Sequence, residues 1–126
     1  MAVTEKKNKE NKPKPIILDA KNQSLGRVAT LTSYYLQDKH RSDYAPNKTG
    51  QTVVIVKNLK DITFKGTKMK VKKYFKHTGY LGHLKEEKLE SLWNKNPKEV
   101  LRMAVKGMLP KNKLRDKRLK RLQIED

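Results

Sequence analysis

Three histidines and two short glycine-bearing turns are the residues of this chain whose types are suited to catalysis or metal binding. His77 and His83 flank Thr78-Gly79-Tyr80-Leu81-Gly82, and His40 stands apart from them. A structural zinc site needs about four protein ligands, and a catalytic one three plus water. The chain has no cysteine, so thiolates are excluded and the histidines alone do not complete such a set. Hydrogen bonding to a nucleic acid explains them more simply. Gly79 and Gly82 lack the P-loop spacing that cradles nucleotide phosphates, and Ser24-Leu25-Gly26-Arg27 lacks the GxGxxG fingerprint of dinucleotide sites. No serine is teamed in sequence with a histidine and an acid. The expectation is therefore no catalytic residue, no metal, no cofactor and no small-molecule substrate.

Cations are what the chain holds in quantity. Lys and Arg number 31 against 13 Asp and Glu, a formal net charge of +18 over 126 residues. So large a surplus repels itself in a compact chain unless a polyanion neutralises it. Residues 65–76 contain six lysines (Lys65, Lys68, Lys70, Lys72, Lys73 and Lys76) and no acid, and residues 106–121 contain eight cations and one acid, Asp116. A charge run is usually a solvated face. Solvated faces mix signs, however, whereas these runs are almost purely positive and the acids Glu86, Glu87, Glu90 and Glu99 gather elsewhere. That separation predicts a basic side for phosphates and an acidic or neutral side for solvent. Lysines such as Lys111 and Lys113 bind phosphate as point charges. Arg27, Arg41, Arg115, Arg118 and Arg121 can grip it bidentately or stack on unpaired bases. Tyr44, Tyr74 and Tyr80 sit in or beside basic loops where a base can stack, while Trp93, Phe64 and Tyr35 read as core. Contact with about eight phosphates of single-stranded RNA would give a logarithmic salt slope of roughly −6.

The elements that must position these residues are short. Residues 1–15 mix Lys, Asn and Glu with Pro13 and Pro15, too little apolar surface to order, and are expected to form a flexible basic arm. The domain is expected over residues 16–126, with a basic segment over 106–126. Ile16-Ile17-Leu18 predicts a strand, and Ser24 an N-cap for a helix whose apolar stripe is Leu25, Val28, Ala29, Thr32, Tyr35 and Leu36. Thr52 to Val56 is apolar without alternation, the pattern of a strand covered on both faces in a parallel α/β sheet. Asn58 is read as capping a single turn, Ile62-Thr63-Phe64 as a further strand, and Met69 to Phe75 as another. Helices are predicted over Glu86–Trp93 and Pro97–Met108. The second is well marked, with Asn96 as N-cap, Pro97 at the first position and Pro110 beyond the end. No apolar run approaches the roughly 18 to 20 residues needed to span a bilayer, so no membrane partner is expected.

Several pieces of the chain, in order, resemble the large-subunit ribosomal protein L13 family in its bacterial and organellar form. They are Asp19-Ala20 with Leu25-Gly26-Arg27 and Ala29, then Lys39-His40 with Tyr44 and Pro46, then Val53 to Val56 with Asn58. His77-Thr78-Gly79-Tyr80 with Gly82 follows, and Ala104-Val105-Lys106-Gly107-Met108-Leu109-Pro110 is the most specific run. The chain departs from the family pattern at Asp38 and His83, where glycine is usual, at Gln51, where aspartate is common, and at Arg115, where a small residue is usual. The resemblance implies a single three-layer α/β/α domain with a mainly parallel central sheet of about four strands. It also implies a monomer within the ribosome, in the cytoplasm or an organelle, that contacts ribosomal RNA and neighbouring ribosomal proteins. Its expected role is that of a non-enzymatic structural constituent supporting early subunit assembly and translation. Carried over to this chain, it implies that Arg27, Lys39, His40, Tyr44, His77, Thr78, Gly79, Lys106 and Gly107 touch or shape the RNA. Net charge alone is equally consistent with a nucleic-acid binder outside the ribosome, and the histidines with a small enzyme; the ordered motifs disfavour both.

Overall fold

Apolar residues at every second position give short strands one face to bury, and three such strands organise this protein. The computed structural model describes residues 13–125; the expected arm over residues 1–15 lies mostly outside them, as does Asp126. In chain order the elements are β1 (Ile16–Asp19), α1 (Leu25–Leu36), β2 (Val54–Lys57), a 3-10 turn (Leu59–Asp61), α2 (Lys68–Val71), β3 (Lys73–His77), β4 (Leu84–Lys88), α3 (Leu89–Lys95), α4 (Pro97–Met108), α5 (Arg115–Leu119) and β5 (Leu122–Ile124). β1, β2 and β5 form a parallel sheet with β2 in the centre. Ile16 pairs with Val54 and Leu18 with Val56, while Val54 and Val56 also pair with Leu122 and Ile124. These residues make the inward face.

α1 begins after Ser24, whose backbone is extended, and α4 after Asn96 with Pro97 in its first turn, at the expected positions, although neither Ser24 nor Asn96 makes a side-chain capping hydrogen bond. The two helices lie against each other, and Val28, Ala29 and Leu36 join Val100, Leu101 and Val105 in one core with Val54, Val56 and Leu122. The steps from β1 to β2 and from β2 to β5 run in the same direction across the sheet. Right-handed crossovers in one direction deliver their helices to one face, so both major helices share a side. On the other face Ile17 is 58% exposed and Asp19 and Gln123 are exposed.

The mixed α/β class with a mainly parallel sheet is the one the sequence predicts, and its details differ. Among the described residues the parallel sheet has three strands rather than about four. Ile62-Thr63-Phe64 is no strand: only Thr63 bridges to Ser24. Met69 to Phe75 divides into the single turn α2 and strand β3. The residues Glu86 to Lys88, predicted as the start of a helix, are the end of β4, because β3 supplies an antiparallel partner across the tip. Helix therefore begins only at Leu89. β5 had no place in the sequence reading; its three residues sit in a cationic tail, and the exposed edge of β2 recruits them.

Candidate nucleic-acid interface

The first turn of α1, residues 63–72 and the last turns of α4 enclose a groove of about 650 Å3. Leu25, Phe64, Tyr74, Leu89 and Met103 line it, as do Arg27, Lys65, Lys68, Lys72 and Gly107. Five expected interface residues, scattered over eighty positions of sequence, are thus brought together. Arg27, Lys65, Lys68 and Lys72 are exposed, and among the described residues none of them enters an ion pair. The Lys72 ammonium lies 5.3 Å from the centre of the Tyr74 ring, a cation–π contact. Burial against the core raises the Tyr74 phenol above its ordinary pKa. Phe64 is held from behind by an edge-to-face contact with Trp93, centroids 5.0 Å apart. Lys106 is exposed in the last turn of α4, beside the groove.

The β3–β4 hairpin forms its own two-stranded sheet. Opposite residues in an antiparallel pair share a face. Lys73 therefore faces Lys88, and Lys76 faces Lys85, like charges directly opposed. Glu86 relieves one of them, 3.6 Å from Lys73, and Glu87 lies 3.3 Å from Lys95. The acids that are separate in sequence from the lysine run are thus interleaved with it in space, so the predicted division into a basic and an acidic side does not extend to the hairpin. Exposed ion pairs of this kind are worth about 0 to 1 kcal/mol. Lys70 is exposed at the hairpin base, and His77, Thr78, Gly79 and Tyr80 at its tip. The tip is hydrogen-bonded internally: Gly79 N–H donates to His77 Nδ1 (3.0 Å) and the Thr78 hydroxyl to the His83 carbonyl (3.0 Å). Acceptance at Nδ1 places the N–H of the neutral His77 ring at Nε2. Gly79 and Gly82 both have positive φ, the conformation glycine adopts without strain. Between them Tyr80 is 72% exposed and Leu81 wholly so.

Lys39, His40, Arg41 and Tyr44 stand on the loop that follows α1. Lys39, His40 and Tyr44 are exposed, with His40 set edge-on to Tyr35 at 5.2 Å. Arg41 is half-buried and paired with Asp43 at 3.2 Å. Beneath this loop two expected RNA-binding arginines turn inward. Arg118 is 1% exposed and donates to the Lys48 carbonyl at 2.8 Å and the Pro46 carbonyl at 3.5 Å. Arg121 donates to the carbonyls of Leu36 (2.7 Å), Thr52 (2.8 Å) and Thr49. Asp38, buried with a left-handed backbone, accepts from Gln51 N–H at 2.9 Å. Burial lowers the Arg121 pKa from its ordinary value, and the Asp38 carboxylate opposes that shift. These two arginines are clamps for residues 36–52 rather than free phosphate ligands; their peptide partners are carbonyls that helix and sheet leave unbonded. Arg115 is half-buried, whereas Lys111 and Lys113 are exposed.

Sequence reading missed Lys85 and Lys88, because Lys88 fell in the helix expected over Glu86–Trp93 and Lys85 just before it; only the strand pairing sets them opposite Lys76 and Lys73. It also missed Asp38 as a positioning residue, although its unusual place before Lys39-His40 was the signal. Among the described residues no group of three or more His, Asp or Glu is arranged to hold a metal ion, and no helix is long and apolar enough to cross a membrane.

Comparison with known proteins follows the same lines. Residues 13–124 match the family model described as Ribosomal protein L13. The large ribosomal subunit protein uL13 of Wolinella succinogenes is 39% identical over 118 residues, covering 94% of this chain and 85% of that protein. The same protein of Nautilia profundicola is 42% identical over 109 residues (86% and 78%), and that of Lawsonia intracellularis 43% over 108 residues (86% and 75%). A family match over nearly every described residue, with relatives near two-fifths identity over most of both chains, settles the assignment: this chain belongs to the ribosomal protein L13 family.

Proposed function

We propose that this chain, a non-enzymatic structural constituent of the large subunit of the cytoplasmic ribosome, binds large-subunit ribosomal RNA. The contacts run through its groove, its hairpin and the loop after α1, and they support early assembly of the subunit. One observation carries the reading: two of the five residue pairs across the β3–β4 hairpin are lysine against lysine. Like charges directly opposed in a sheet are destabilising, and a two-stranded sheet is marginal by itself. Such an element holds its shape best with a polyanion between and around the lysines. Within this reading the RNA contacts are Arg27, Lys65, Lys68, Lys70, Lys72 and Lys73, the tip residues His77 to Tyr80, Lys39, His40, Arg41 and Tyr44, and Lys106, Gly107, Lys111 and Lys113. Arg115 lends partial access, and residues 1–15 are an added basic arm. Neighbouring ribosomal proteins meet the remaining surface.

Replacing Lys76 and Lys85 together with glutamine tests the proposal. Binding to a large-subunit RNA fragment should weaken, and its salt slope should shrink by about 0.7 for each phosphate of single-stranded RNA that is no longer neutralised. The melting temperature should stay level or rise, since a repulsion has been removed. An unchanged slope with a lowered melting temperature would mean that the hairpin lysines serve the fold and not RNA. Sedimentation gives the second check: the chain should travel with large subunits at moderate salt, and a chain found only free or on DNA contradicts the proposal.

A further inference from the structure

We infer that the groove between α1, α4 and residues 63–72 receives a single unpaired ribonucleotide, with its base on the apolar floor and its phosphates on the cationic rim. This rests on the rRNA-binding reading above and adds a defined site to it. The floor is formed by Phe64, Tyr74 and Met103, each packed against the core from behind. The rim is Arg27, Lys65, Lys68 and Lys72, and no Asp or Glu lines the groove. The volume of about 650 Å3 lies within the roughly 300–1,000 Å3 of sites that enclose small ligands. An apolar, partly aromatic floor inside an acid-free cationic rim fits a ligand with one flat apolar face and charged edges. Unpaired bases stack on aromatic and apolar side chains while their phosphates meet Lys and Arg. A fully paired stem offers the rim its phosphates but gives the floor nothing to cover it.

Gly26 and Gly107 supply the steric complement. Each lines the groove on one of the two helices, and nothing stands within 4 Å of the position a Cβ would take at either. The absence of side chains at these two positions keeps the groove open, although neither glycine is required by a close approach within the chain. Neither has a positive φ, so a larger residue at Gly26 suits the helix backbone and fills the groove without straining the fold.

The test uses the full chain and two RNA stems of equal length, one carrying a single bulged nucleotide and one fully paired. The parent should bind the bulged stem about tenfold more tightly, the size expected for stacking one base. Gly26→Leu should bring that ratio to about one while the melting temperature stays level or rises, and Gly26→Ala should give an intermediate ratio. A bulged 4-thiouridine should crosslink to the Phe64–Lys72 segment or to Met103. Should Gly26→Leu fail to fold, the graded effect of Gly26→Ala and the crosslink position decide the matter. A ratio near one in the parent, with tight binding to both stems, overturns the groove site and leaves the rRNA reading standing. Failure of the parent to bind either stem or a large-subunit RNA fragment overturns both. A tenfold ratio that survives Gly26→Leu, or displacement of the crosslink to the hairpin tip, assigns the nucleotide elsewhere. Groove filling that abolishes capture of an acidic peptide but spares bulged RNA assigns the groove to a protein partner and also overturns the inference.

Discussion

Replacing Arg121 with alanine separates a structural arginine from a phosphate-binding one. Its guanidinium donates to the carbonyls of Leu36 and Thr52 at 2.7 and 2.8 Å and to that of Thr49, and it stands beside Asp38. A hydrogen bond to a charged group contributes roughly 1.5–3 kcal/mol. The side chain is half-buried, so water replaces part of each broken bond, and about 1 kcal/mol per carbonyl is the appropriate figure. The sum is about 3 kcal/mol. For a chain of this size that is a fall in melting temperature of about 10 °C. Asp38→Asn retains an acceptor for the Gln51 N–H and loses only the charge, so it should cost about 1 kcal/mol. Lys113→Ala, on an exposed lysine, should stay within about 0.5 kcal/mol. Thermal melts followed by circular dichroism read these changes, and RNA titrations at several salt concentrations, below all the melting temperatures, read the rest. Arg121→Ala should keep the parent's salt slope, whereas Lys111 and Lys113 replaced together should reduce it by about 1.4 for single-stranded RNA. If Arg121→Ala melts within about 2 °C of the parent and loses about 0.7 from its slope, Arg121 is a phosphate ligand and the clamp is refuted.

The Asp19 carboxyl is held below the ordinary aspartate range, first by the hydrogen bond from the Asn58 side chain and then by that from the Lys21 N–H. A carboxylate depressed by folding stabilises above its unfolded pKa and loses that stabilisation as pH falls through the folded value; Asn58→Ala should therefore flatten the acid limb of the stability profile below about pH 4. Tyr74 behaves in the opposite sense: burial raises its phenol above 10.0, so its contribution is complete below about pH 10 and is lost as pH rises through the folded value. Tyr74→Phe should remove that alkaline loss in urea melts between about pH 9 and 12, and an unchanged profile would exclude Tyr74 as its source. Replacing His77 and His83 with alanine should affect growth and subunit assembly mildly or not at all, since the tip is also shaped by the Thr78–His83 bonds and two glycines; arrest of growth in a complementation assay would contradict this.

Much of this protein is set locally. Pro97 and Pro110 bound α4 because a fixed φ and a missing N–H act over a few residues. The apolar runs at Ile16 and Val53 become β1 and β2 for similar reasons. The charge of +18 needed no fold to point to a polyanionic partner, the absence of cysteine needed none to exclude thiolate ligands, and the ordered motifs were sufficient for the family. Tertiary structure decided what depends on partners distant in sequence. Leu122 to Ile124 became a strand because β2 had an open edge, and Glu86 to Lys88 because β3 lay opposite. Which cations lie on the surface and which turn inward was settled in the same way. Arg118 and Arg121 belong to a run that reads as surface, yet the unbonded carbonyls of residues 36–52 draw both inside, while Arg27, Lys65 and Lys72 meet around one groove. Residue type states that a side chain is cationic; only the fold determines whether a carbonyl or a phosphate is its nearest oxygen.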